Sequence, residues 1–224
     1  MKKSTQVALD GPSGAGKSTL ARRLAARLGF VYVDTGALYR TIALFMMREQ
    51  AESDTEIIAK LPELNITISY ENGQQHVFAN GEDVSALIRT PEVSMGASRV
   101  SAIPAVRQFL FDLQRELANT HSVVMDGRDI GTVVLPDADV KIFLTASAEK
   151  RAERRFAELQ EKHPDAQTYE EVLRNVIKRD EQDMNREIAP LRQAEDAVLV
   201  DTTNADLDQS EEMLFAVCRE KLGL

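Results

Sequence analysis

Short apolar runs recur along the chain at Val7 to Leu9, Phe30 to Val33, Val123 to Met125, Val140 to Leu144 and Val198 to Val200, and helical periodicity fills most of the intervals. Apolar runs of this length alternating with amphipathic helices predict a parallel sheet with helices packed on it, an α/β architecture. The first helix shows the logic. Leu20, Leu24 and Leu28 line one face, Arg22, Arg23 and Arg27 point elsewhere, and Gly29 supplies the stop. Longer helices are expected over about 103–119, 147–162, 168–187 and 206–222, each with a cap or breaker nearby. The apolar run Phe45, Met46 and Met47 reads as the core face of a helix following Arg40.

One stretch breaks this rhythm. Leu64 to Tyr70 alternates apolar and polar residues, Asn72-Gly73 is a strong hairpin turn, His76 to Ala79 runs back, and Asn80-Gly81 turns again before Glu82-Asp83-Val84. Two Asn-Gly turns at strand spacing predict a small antiparallel β-subdomain inserted into the α/β fold, where a linker would lack such regular turn chemistry.

Composition narrows the possible functions. The length of 224 residues has room for one α/β domain with insertions and not for a large mechanical ATPase. The basic start Met1-Lys2-Lys3 runs straight into a core strand, and no apolar run approaches the length of a membrane span, so a cytoplasmic protein without leader or anchor is expected. Cys218 is the only cysteine and falls in an apolar helix pattern, which excludes an intrachain disulfide and suggests a buried thiol. His76, His121 and His163 have no ligand spacing and read as surface residues. A net charge of −9 disfavours a nucleic acid polymer as partner, so the partner is expected to be a small molecule.

The chemistry begins at Gly11-Pro12-Ser13-Gly14-Ala15-Gly16-Lys17-Ser18, a complete G-x-x-x-x-G-K-[ST] phosphate loop placed between the first strand and the first helix, with Thr19 following. Its glycines let successive N–H groups turn inward around phosphate oxygens, and the helix adds its positive end. Lys17 reaches the β- and γ-phosphates of a nucleoside triphosphate, and the Ser18 hydroxyl suits Mg²⁺. Asp126, at the end of an apolar strand, and Asp10, just before the loop, are rival acids for orienting a metal-bound water.

The loop alone leaves motor, switch, transporter subunit and kinase open. No Asn is followed by Lys and no Asp has Gly three places on, which argues against a guanine-reading switch. Arginines recur instead: Arg40, Arg107, Arg128, the group Arg151, Arg154 and Arg155, and Arg179 with Arg186. Such a set can clamp two polyanions. If the acceptor is itself a phosphate, the nucleophile is already ionised, and the barrier is one of repulsion and positioning that guanidinium forks can lower.

The segments Gly11 to Ser18, Asp34-Thr35-Gly36-Ala37-Leu38-Tyr39-Arg40, Gly81 to Val84 with Ile88-Arg89-Thr90, Asp126 to Thr132 followed by Pro136-Asp137-Ala138, and Lys178-Arg179-Asp180 running on to Asn185-Arg186 together resemble the bacterial cytidylate kinase family. That family lies within the nucleoside monophosphate kinases of the P-loop group, and the likeness spans nearly the whole chain. It implies a three-layer P-loop kinase fold over residues 1–224 as a single domain, with a central five-stranded parallel sheet. A monophosphate-binding insertion of about 36–105, containing the β-insert of about 62–90, and a helical lid of about 148–162 come with it. It implies ATP as donor, CMP and dCMP as acceptors, Mg²⁺, and a monomer. By resemblance, Thr35, Arg40 and Arg128 hold the acceptor phosphate, Ser98, Arg107 and Asp129 read the cytosine edge, and Arg179, Asp183 and Arg186 contact the sugar and its neighbours. Arg151 and Arg155, with Arg154, resemble a lid that closes over the γ-phosphate, so Lys17, Arg128, Arg151 and Arg155 form the expected catalytic set. From composition alone, Arg154 and Arg155 read instead as solvated partners of Glu153, Glu158 and Glu161. The remaining alternatives are a P-loop kinase acting on UMP or on a hydroxyl acceptor, and a nucleotide-sensing protein without transfer. Both the β-insert and the 148–162 segment are expected to close on ligands.

Overall fold

The computed structural model describes residues 4–71, 73–162 and 167–224, with Lys162 as backbone only. Met1–Lys3 at the basic start, Asn72 of the first hairpin turn and His163 lie outside the described residues. In chain order the elements are β1 (Gln6–Asp10), α1 (Lys17–Leu28), β2 (Val31–Asp34), α2 (Thr35–Arg48), α3 (Asp54–Lys60), β3 (Ile66–Glu71), β4 (Gln74–Ala79) and β5 (Glu82–Asp83). There follow α4 (Pro91–Val100), α5 (Pro104–Thr120), β6 (Val123–Gly127), β7 (Val140–Thr145), α6 (Ala148–Lys162), α7 (Tyr169–Met184), β8 (Val198–Asp201) and α8 (Leu207–Leu222).

The five apolar runs expected to be strands form one sheet in the order β2-β6-β1-β7-β8. Val7 to Asp10 of β1 lie opposite Val140 to Phe143 of β7, and Ile142 to Thr145 of β7 lie opposite Val198 to Asp201 of β8, all parallel. A second sheet, β3-β4-β5, is antiparallel with Ile66 opposite Ala79 and Phe78 opposite Asp83. It is the β-subdomain expected from the Asn-Gly turns.

The chain divides into two compact units, one built on Phe30–Val123 and the other on Thr5–Gly29 with Val124–Leu224. In the first, Leu38, Ile42 and Met46 of α2 pack with Ile66 and Val77 of the small sheet and with Val93, Val106 and Leu110 of α4 and α5. In the second, Val7, Leu9, Leu24, Met125, Ile142, Leu144 and Leu214 are fully buried. Each such side chain contributes about 1.5–3 kcal/mol by leaving water. Cys218 is buried here too, and desolvation pushes its thiol up to about 12, so it is an inert packing residue.

Local chemistry sets the helix boundaries. Asp34 accepts the Ala37 N–H at 2.9 Å and so starts α2 at Thr35. Reciprocal capping boxes, Ser53 with Glu56 and Thr168 with Glu171, start α3 and α7. Gly29, at φ 69°, ends α1. Two expectations need correction. The helix expected over 168–187 stops at Met184, because Asn185 leaves the helical conformation and the Leu191 N–H bonds the Asp183 carbonyl at 2.8 Å. Arg186 therefore lies beyond the helix that carries Arg179 and Asp183. In α2, Met46 is buried but Met47 is 49% exposed, so the core face excludes it.

Candidate active site

In the second unit the phosphate loop joins β1 to α1. Gly11 has φ 149°, and a Cβ there would lie 2.0 Å from the Leu144 carbonyl oxygen, so no other residue fits. Gly16, at φ 85°, occupies the N-cap of α1, and no side chain caps that helix end. The backbone donors of Lys17, Ser18 and Thr19 thus begin a helix without a side-chain cap, the local arrangement that favours an anion. Pro12 and Ala15 are buried, Ser13 is half-buried, and Gly14, Ser18 and Thr19 are exposed. The Lys17 side chain folds back so that Nζ donates to the Pro12 carbonyl at 2.7 Å. Burial first, and the Arg128 guanidinium second, hold its ammonium well below the usual lysine range, against the pull of Asp126, Asp10 and Asp183.

The two rival acids are separated by their partners. Asp126, buried at the end of β6, accepts from Ser18 Oγ at 2.8 Å. Asp10 spends both carboxylate oxygens on backbone donors, Ile130 N–H at 2.8 Å and Gly131 N–H at 2.7 Å. Burial pushes Asp10 up to about 6, opposed by those two bonds.

Arg128 donates through Nε to Asp183 Oδ2 at 2.9 Å, and Arg186 pairs with the other oxygen of the same carboxylate. Burial opposes the ionisation of Asp183, but Arg128 and Arg186, with Arg179 further off, hold it below the ordinary aspartate range. Asp183 therefore braces two arginines, with Arg179 exposed nearby on the same helix. Asp129 follows Arg128 and is buried.

The three arginines of α6 part company. Arg151 is buried, with Nη1 and Nη2 on Asp180 at 3.0 and 2.6 Å, Nη1 also on the Ser13 carbonyl at 3.0 Å, and Nε on the Ala146 carbonyl at 2.8 Å. Arg154 reaches the Thr202 carbonyl at 2.8 Å. Arg155 is exposed and makes a surface pair with Glu158 at 3.1 Å. The resemblance places Arg151 and Arg155 in one lid, and here the carboxylate of α7 holds Arg151 in the interior.

The first unit carries its own cluster. Thr35 is buried at the start of α2, and Arg40, one turn on, donates through Nη2 to Asp34 at 2.9 Å while its buried Nε has no partner among the described residues. The Gln75 side chain accepts the Asp34 N–H at 2.8 Å and donates to the Asp34 carbonyl at 3.3 Å, fixing the β2–α2 junction from the small sheet. Ser98 on α4 and Arg107 on α5 are linked through Ser101, which donates to the Ser98 carbonyl at 2.9 Å and accepts weakly from Arg107 Nη1 at 3.4 Å. The Arg107 guanidinium also lies 5.9 Å from the Tyr39 ring centre.

The cytidylate kinase family model matches residues 7–219. The chain belongs to the cytidylate kinase family. It is 49% identical over 219 residues to a cytidylate kinase of Thermosipho melanesiensis, covering 98% of this chain and 99% of that one, and 46% identical to one of Lactobacillus gasseri, covering 96% and 94%. The crystal structure of an uncharacterized protein from Eubacterium ventriosum shares the fold, with a TM-score of 0.53 and 14% identity over 95% of this chain and 96% of that one. Among the described residues no helix is long and apolar enough to cross a membrane.

Within this family member, sequence reasoning passed over Asp34, Gln75 and Asp180, which hold Arg40, the β2–α2 junction and Arg151 in place. Asp34 and Asp180 stand inside recognised motifs beside arginines, which was the available signal. Gln75 offered none, since its role depends on pairing across 41 residues.

Proposed function

We propose that this chain transfers the γ-phosphate of ATP to CMP, giving ADP and CDP, with dCMP as a second acceptor. The match to the cytidylate kinase family over residues 7–219 carries this reading, and the phosphate loop with its desolvated Lys17 supports it. A CMP phosphate oxygen forms the new bond to the γ-phosphorus, the bond from that phosphorus to the β–γ bridging oxygen breaks, and the electron pair leaves with ADP. No covalent enzyme intermediate is needed, so the protein's task is charge stabilisation and alignment.

In this reading the loop N–H groups and Lys17 take the donor phosphates. Thr35, Arg40 and Arg128 take the acceptor phosphate, which the Nε of Arg40, buried and without a partner among the described residues, supports. Ser98, Arg107 and Asp129 read cytosine, whose N3 and O2 accept and whose amino group donates. Arg179, Asp183 and Arg186 serve the sugar. Arg155, exposed on α6 and, among the described residues, paired with Glu158, is the cation for the transferring phosphoryl group, whereas Arg151 acts through the loop it holds.

Ser18 and Asp126 would hold Mg²⁺: a hydroxyl and a carboxylate already 2.8 Å apart are the hard oxygen donors that ion selects. When bound, it supplies neutralisation of charge on the β- and γ-phosphates. Asp10 is committed to Ile130 and Gly131 and is not part of that set.

Anion-exchange analysis of a mixture of protein, ATP, MgCl₂ and CMP tests the proposal: ADP and CDP should appear in equal amounts, and Lys17→Ala should give neither. ADP without CDP would reduce the protein to an ATPase.

A further inference from the structure

Asp10 stands at the end of β1, immediately before the phosphate loop, yet its side chain serves a segment 120 residues away in sequence. That segment is the π-helical turn Ile130–Val134, which directly follows Arg128 and Asp129. Within it, Val133 N–H and Val134 N–H bond the Asp129 carbonyl at 2.9 and 3.3 Å, and Leu135 N–H bonds the Ile130 carbonyl at 2.7 Å. The donors at its start have no carbonyl behind them, as at any helix amino end. Asp10 meets two of them, one with each carboxylate oxygen, at 2.8 and 2.7 Å. The fit is close, since a Cβ on Gly131 would lie 3.4 Å from Asp10 Oδ2 and 3.2 Å from Lys141 Cδ.

A carboxylate 5% exposed is costly to bury, and nothing in the phosphotransfer chemistry assigned above uses it. Its ionised form is the one that accepts from two N–H groups at once. Of the charged groups near it, Asp129 opposes its ionisation and Lys17 favours it.

We propose that Asp10 is a positioning residue, clamping Ile130 and Gly131 so that Arg128 and Asp129 are presented to the acceptor nucleotide. The proposal rests on the CMP kinase reading for its kinetic consequence, though the clamp itself does not. Because β1 leads into the phosphate loop, one strand end fixes both the donor loop and the acceptor-reading segment.

The test is Asp10→Asn, which replaces one acceptor by an amide donor facing a backbone N–H. Hydrogen exchange by NMR should show protection at the Ile130 and Gly131 amides lowered at least about tenfold relative to the sheet amides, which a metal-orienting acid would not do. In kinetics the KM for CMP should rise about tenfold or more, while the KM for ATP and the half-saturating Mg²⁺ stay within about threefold. Gly131→Ala, which keeps the carboxylate and crowds it, should raise the KM for CMP in the same selective way and decides the question if Asp10→Asn does not fold. A shift in Mg²⁺ requirement with CMP unaffected, or equal losses for both nucleotides, overturns the proposal. Wild-type protein inactive on CMP would instead overturn the functional reading, leaving the exchange result to judge the clamp.

Discussion

The Arg151 guanidinium grips the Asp180 carboxylate with two parallel N–H bonds, at 3.0 and 2.6 Å, and with the same Nη1 holds the Ser13 carbonyl of the phosphate loop. One buried side chain thus ties α6, α7 and the donor loop together, in the bidentate geometry that only arginine provides. An arginine so fixed stabilises the shape of the loop.

This divides the α6 arginines experimentally. Asp180→Asn leaves a buried guanidinium without its countercharge and should lower the unfolding free energy by about 3–5 kcal/mol. Arg155→Ala removes only an exposed pair and should change stability by less than about 1 kcal/mol, yet it should lower kcat by about 10²-fold or more if it meets the transferring group. Urea denaturation and steady-state kinetics on both variants check this. The opposite pattern, a stable Asp180→Asn with an active Arg155→Ala, would contradict the assignment.

Base recognition is expected to depend on Arg107, which the structure places beside Tyr39 and Ser101. Arg107→Met should weaken CMP binding by about 1–3 kcal/mol, the cost of leaving a ligand acceptor unpaired, and leave ATP binding unchanged. Titration calorimetry with each nucleotide distinguishes this from a general loss of structure, in which both affinities fall together.

Asp10 also carries a pH signature. Burial raises its carboxyl from the ordinary 3.8 to about 6, so between these values the folded state holds a proton that the unfolded state has lost. Stability from this group is therefore full below about pH 4 and declines as pH rises to 6, by about 3 kcal/mol at most. Subtracting the unfolding free energy of Asp10→Asn from that of the wild type removes the contribution of groups such as Asp183, whose shift runs the other way. The difference should shrink from pH 4 to 6 and then level off. A difference that grows over this range would contradict the raised value.

Much of this was legible in the chain. The five strands announced themselves as apolar runs, the β-insert through Asn80-Gly81, and the donor loop through its glycines, lysine and serine. Long-range pairing was not legible. Nothing local to Asp10 indicates Ile130 and Gly131, and nothing local to Arg151 indicates Asp180, 29 residues on. The family resemblance gives Arg151 and Arg155 one role, and nothing in the chain shows how differently the two are buried. Helix periodicity also carried α7 past Met184, because it registers side-chain faces and not the backbone bond from Leu191 to Asp183 that accompanies the end of the helix.

The acceptor in this reading is a cytidine monophosphate. The most direct test is kcat/KM with saturating ATP and Mg²⁺ across CMP, dCMP, UMP, AMP, GMP and shikimate, followed by coupled ADP release. CMP should lead, with dCMP second and every acceptor lacking the cytosine amino group at least about 10²-fold lower. A preference for UMP or shikimate over CMP, or turnover independent of the acceptor, would contradict it.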